Sequence, residues 1–254
     1  MRQWWIFVHK ELMELWRTKK LLLIGTLFLV IGILNPLTAK LTPLILEQTL
    51  GHAAAQALPK PTSLDAWAQF DKNVTQIGIY LFALIFSQTI QQERQQKQLV
   101  PLLVKGLKRN LYILAKFSTL IGCWFLSIGI SFGITYGYTS YYFPDNHSPH
   151  PILAVIGVFL FGLVLCAMII FASTLATQSF GGILGVVIMM VLFYVIQFFD
   201  QLKAYSPYTL LTKSAELRVG TEQVSTLWAP FLVSFVMMGL LLIFSITILK
   251  RSKL

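Results

Sequence analysis

The chain has 254 residues, 56% of them hydrophobic and 12% charged, with a mean hydropathy of +0.70 and a formal net charge of +10. These values exclude an ordinary soluble domain and place the chain among membrane proteins, whose spanning helices each need about 20 mainly apolar residues. The two cysteines, Cys123 and Cys166, both lie within apolar segments. That excludes a disulfide framework or a CxxC metal site and leaves them as packing residues.

In chain order, MRQWWIFVHKELMELWRTKK comes first, and residues 1–20 are expected to form an interfacial helix. Trp5, Val8, Leu12, Leu15 and Trp16 fall on one helical face and Lys10, Glu14 and Arg17 on the other, which suits a helix at headgroup depth. Membrane anchoring accounts for this stretch better than chemistry at His9 or Glu11. Six apolar segments follow, at 21–39, 74–90, 112–143, 152–176, 183–199 and 227–249. An even number of spans puts both termini on one side. The first segment is long and has no small-x-small cleavage site, so it is not expected to be a signal peptide. Residues 40–73 form an outer loop in which 44–57 is a candidate helix ended by Pro59 and Pro61. It either caps the exit of a pathway or is a passive cover.

Residues 91–111 are the largest polar interruption on the side of the termini. Leu99, Leu102 and Leu103 recur at helical spacing among Glu93, Arg94, Lys97, Lys105, Lys108 and Arg109, and Pro101 suits the first position of a helical turn. The stretch reads either as an amphipathic helix offering apolar knobs to a partner or as a solvated loop whose leucines touch headgroups. In the third segment, Gly129, Gly133 and Gly137 make a stripe of small residues for close helix packing, expected within one chain. Gly181 and Gly185 repeat the pattern at the start of the fifth. Lys116 and Asp200 lie near segment ends, where snorkelling accounts for them. Tyr136, Tyr138, Tyr141 and Tyr142 read as an outer aromatic belt.

Lysine and arginine mark the cytoplasmic side because they resist translocation. With both termini inside, fourteen of the 20 basic residues are cytoplasmic, whereas Lys40, Lys60, Lys72, Lys203, Lys213 and Arg218 lie outside with seven of the 10 acids. The positive balance therefore signals membrane orientation and not nucleic acid. Catalysis is weakly supported. Gly129-Ile-Ser-Phe-Gly133 fits G-x-S-x-G, but the four histidines lie in aqueous regions, away from the depth of Ser131. No Gly-Lys pair occurs, so the chain has no P-loop and any ATP is bound elsewhere. Neither a catalytic nor a metal or cofactor site is expected. The polar groups at depth, such as Gln88, Ser127, Ser173 and Gln197, are neutral, which speaks against a proton or sodium relay; an ion-coupled or passive transporter without an ATPase partner stands as the alternative.

Over its whole length the chain resembles the six-span permease subunits of bacterial ABC transporters of the ABC-2 type, mostly exporters. The resemblance is carried by HKELMELWRTKKLL, by NPLTAKLTPLIL, and by the order Glu93, Leu102, Leu103, Arg109, Tyr112 and Lys116, with Gln98 and Leu99 where Gly-Thr is usual. It implies an all-α integral membrane fold in one domain, 1–254: six transmembrane helices with an N-terminal interfacial helix, a cytoplasmic coupling helix within 91–111 and a re-entrant outer segment at SPYTLL before the last span. It also implies that Glu93, Arg94, Leu99, Leu102, Leu103 and Arg109 dock on an ATP-binding subunit. A second permease copy or a paralogue would complete the unit, with Asn35, Pro36 and Gly185 near the dimer seam and the pathway. The expected setting is the bacterial plasma (inner) membrane, with both termini cytoplasmic. The expected cargo is an amphipathic or hydrophobic peptide, toxin, lipid or drug moved outward, phenol-soluble-modulin-type export being the first candidate.

Overall fold

The computed structural model describes residues 2–50, 61–98, 101, 108–145, 151–176, 178, 180–220 and 224–251. The amphipathic start forms α1 (Arg2–Arg17). Phe7, Val8, Glu11 and Leu15 of this helix are buried, and Trp5, Ile6, Leu12, Met13 and Trp16 are exposed. The apolar face expected to meet lipid is thus divided: Val8 and Leu15 pack on protein, because α1 lies against the start of a spanning helix. Lys19, at a left-handed φ of 58°, turns the chain into α2 (Lys20–Leu50).

Within 40–73 the described residues are mainly helical, and 51–60, with the second half of the candidate helix at 44–57, lie outside the described residues. The first span continues as α2 to Leu50, with no separate helix starting at 44, and α3 (Ser63–Asn73) runs through a π-helical stretch, Val74–Gly78, into α4 (Ile79–Phe86). Hydropathy misses this because α3 is polar and because Lys40, Thr42, Glu47, Gln48 and Thr49 interrupt the leucines at the end of α2, while the backbone stays helical. Pro36 and Pro43 lie inside α2. Proline at 36 removes the amide that would bond the Gly32 carbonyl. The Thr135 hydroxyl donates to that carbonyl instead, at 3.1 Å. Asn35 Nδ2 donates to Thr135 Oγ1 at 2.9 Å, and Asn73 Nδ2 donates to Asn35 Oδ1 at 2.7 Å. Asn35 and Pro36, expected at a pathway or dimer seam, are buried in a joint within one chain.

The second span breaks at Ser87 and Gln88, and α5 (Thr89–Gln95) follows. The remaining helices are α6 (Arg109–Tyr142), α7 (Pro151–Leu175), α8 (Gly181–Ile196), α9 (Asp200–Lys203), α10 (Thr209–Val219) and α11 (Trp228–Arg251), the last preceded by a 3₁₀ turn, Val224–Leu227. Among the described residues there is no strand. Five helical stretches among the described residues are long and apolar enough to cross a bilayer. The sixth, α8, has 16 residues, about 24 Å at 1.5 Å per residue. Its two ends nonetheless lie toward opposite ends of the bundle. Ser173 near the end of α7 touches α5 at the end of the bundle that holds α1, whereas α10 packs on α7 at Gly157, near the opposite end. Tight turns extend α8 as far as Phe199.

Helix α7 is the axis of the bundle, flanked by α6, α8, α10 and α11. Every residue from Val164 to Ile170 is buried, as in a helix surrounded on all sides. Its Gly162 faces the indole of Trp124, leaving no room for a Cβ. Pro207 separates α9 from α10, and Arg218 of α10 pairs with Asp71 of α3 at 2.7 Å, over the rings of Trp67 and Phe70. The glycine stripes reverse the expectation. A Cβ at Gly129, Gly133 or Gly137 would meet nothing within 4 Å, so that face is open, whereas one at Gly185 would approach Ala172 of α7 at 2.9 Å. Spacing shows that a backbone can be approached closely; which neighbour approaches it depends on how the helix is rotated in the bundle.

Candidate functional site

Three acids lie on the side of the chain that holds both termini, Glu11, Glu14 and Glu93, and the fold brings all three to one place. Helix α1 supplies Lys10, Glu11 and Glu14, α5 supplies Glu93, and the first turns of α6 supply Tyr112 and Lys116. Lys10 Nζ lies 2.8 Å from both Glu14 and Glu93 and 3.1 Å from Glu11. Lys116 Nζ lies 2.8 Å from Glu11 and 3.1 Å from Glu93. The Tyr112 hydroxyl donates to the second oxygen of Glu93 at 2.6 Å. The Lys116, Glu93 and Glu11 side chains are only 1%, 3% and 6% exposed. Charges taken so far from water are tolerated only when each is multiply paired, which is the arrangement found.

Burial pulls the Lys10 ammonium down, but Glu11 and Glu93, with the hydrogen bonds to Glu14 and Glu93, outweigh it and hold the group above the ordinary lysine value. Beside the cluster is a cavity of about 160 Å³ lined in part by Thr18, Lys20, Gln92 and Gln96. Oxygens of Glu11, Glu14 and Glu93 come within 4.8 Å of one another, close enough for a metal ion. The Lys10 and Lys116 ammonium groups already pair with all three and offset two of the three negative charges, so the arrangement suits a structural ion-pair cluster better than a cation site.

The same region fixes α5 in other ways. The Ser173 hydroxyl of α7 accepts hydrogen bonds from the Ile90 and Gln91 amides at 2.9 and 3.3 Å, satisfying donors that a helix start leaves free. Lys20 Nζ donates to Gln92 at 3.3 Å. The helix ends on Lys97, at a left-handed φ of 55°, with Gln98 N–H bonded to Glu93 O at 2.9 Å and Lys97 N–H to Arg94 O at 3.1 Å. That is a Schellman turn made without glycine. Where the chain resumes at α6, Arg109 Nη1 donates to the carbonyls of Leu249 and Lys250 at 2.7 and 2.6 Å, among the last acceptors of α11.

The residues expected to dock on a partner therefore separate. Glu93 is committed to the buried cluster, and Arg109 is turned to α11. Arg94 is half-buried, its Nε and Nη2 without hydrogen-bond partners among the described residues. Leu99, Leu102 and Leu103 lie outside the described residues. Gly185 faces Ala172 of its own chain. Lys116 does not snorkel, because two carboxylates meet it inside the protein. Sequence reasoning missed Glu11 and Ser173. The available signal for Glu11 was the scarcity of acids on a strongly basic side.

A family model described as "ABC-2 family transporter protein" matches residues 73–201, just over half of the chain. No curated protein matches it.

Proposed function

The chain belongs to the ABC-2 family of transporter proteins, and from that premise we propose that it is the membrane permease subunit of an ATP-driven exporter, powered by a separate ATP-binding subunit that docks on residues 91–111. The observation that supports this most is the reach of the family match, which takes in the second span, the whole loop and the three helices that follow. A loop secured at both ends, by Ser173 and the ion-pair cluster at its start and by Arg109 at its end, suits a segment that is pushed from outside. In this reading both termini are cytoplasmic in a bacterial plasma membrane, and a second permease copy or a paralogue completes the transporter.

The cargo in this reading is amphipathic or hydrophobic: a peptide or toxin, a lipid, or a drug. Support comes from the polar groups buried among the spans, which are mainly hydroxyls and amides such as Asn35, Ser127 and Thr135. Purification of the tagged chain from its native membranes tests the reading. It should bring down a P-loop chain whose ATP hydrolysis vanadate inhibits. A chain that purifies alone, with no associated ATPase, contradicts it.

A further inference from the structure

The loop start and loop end are fastened differently. At the start, α5 is gripped by α7 through Ser173, by α1 through Lys10 and by α6 through Lys116 and Tyr112. At the end, Arg109 holds α11 through two backbone carbonyls. We propose that Glu93 and Lys116 are positioning residues that lock α1, α5 and the start of α6 into one rigid unit, so that displacing the loop moves the interfacial helix and the third span together. The last span follows through Arg109.

Several observations carry this. Lys10 touches three carboxylates and Lys116 two, so losing one pair does not release a helix. Each carboxylate bonds in a set direction, which fixes the orientation of α1 as apolar packing alone would not. Simple membrane anchoring needs no buried charge, and α1 already keeps Trp5 and Trp16 exposed for lipid. A buried ion network can be costlier than apolar packing of equal volume, and its best-attested use is to specify register. All three acids of the basic side are drawn into this one network, while Lys97 and Lys108 of the loop stay exposed.

The transmission part of this inference rests on the proposed function; the rigid unit does not. Amide exchange of the isolated chain in nanodiscs tests the unit. Lys116→Met, which leaves two buried carboxylates short of a partner, should speed exchange in α1 and α5 about tenfold or more while the middle of α7 stays protected. Lys116→Arg keeps the charge and should stay near wild type. Should Lys116→Met not fold, Tyr112→Phe, which removes one hydrogen bond to Glu93, should give a smaller change in the same helices. Unchanged exchange in α1 overturns the proposal. Transmission is read with an environment-sensitive fluorophore on Arg17→Cys, in a chain lacking Cys123 and Cys166 and bound to its co-purified ATP-binding chain. Vanadate trapping should shift the emission in wild type and Lys116→Arg but not in Lys116→Met, with Tyr112→Phe falling between them. A full shift in a variant with loosened α1 contradicts the proposal. No shift in wild type removes transmission together with the proposed function, and exchange still decides the rigid unit.

Discussion

Lys116 shows how much a single side chain depends on distant sequence. A lysine near the end of an apolar helix can reach for headgroups or find a carboxylate inside the protein. Here it finds two, one of them 105 positions away. Breaking a buried pair by removing one partner typically costs about 3–5 kcal/mol, whereas replacing both partners by apolar groups can be nearly neutral. Lys116→Met should therefore lower the thermal midpoint of the detergent-solubilised chain clearly, and adding Glu11→Gln should recover part of the loss. Equal midpoints for wild type and Lys116→Met would remove the cluster from the account of stability. The Thr135 hydroxyl is a second such point. Thr135→Val leaves the Gly32 carbonyl and the Asn35 amide unpaired, at a cost of about 1–3 kcal/mol in the same assay. The sequence marked Glu93, Tyr112 and Lys116 by their order and Asn35 and Pro36 by the stretch NPLTAKLTPLIL. It did not reveal their direction, because the partners are supplied by other helices and no local period encodes them.

Among the helices, the spans were legible and the extensions were not. Apolar runs produce long helices, so α6 and α7 begin and end within a few residues of the segments at 112–143 and 152–176, while polar helices such as α3 carry no hydropathy signal. Glycine spacing was the weakest guide. Gly162 faces Trp124, which is fully buried and edge-on to Phe28 and Phe82. Gly162→Ala should abolish recovery of monodisperse protein or sharply reduce it. Gly133→Ala adds a methyl group to open space and should be tolerated, gaining up to about 1 kcal/mol from helix propensity. Similar yields of the two variants on size-exclusion chromatography would show that α6 and α7 do not meet as described.

For the whole molecule, the surplus of basic residues predicts the cytoplasmic end and the structure supplies the geometry around it: α1, α5, the start of α6 and the last turns of α11 share one end of the bundle. In a background without Cys123 and Cys166, a membrane-impermeant thiol reagent applied to intact cells should modify Lys72→Cys and spare Gln96→Cys, both exposed positions. The reverse pattern would invert the orientation. Coupling to a separate ATP-binding subunit is the central claim, and the leucines of the loop are its most direct test. Leu102→Asp with Leu103→Asp puts charge where an apolar contact is expected while leaving Glu93, Ser173 and Arg109 to secure the loop. The decisive measurement is ATP hydrolysis by the complex purified through a tag on this chain, at equal amounts of membrane-inserted permease. The account predicts that the double variant retains neither the ATP-binding chain nor its vanadate-sensitive hydrolysis; co-purification and hydrolysis at wild-type levels would contradict it.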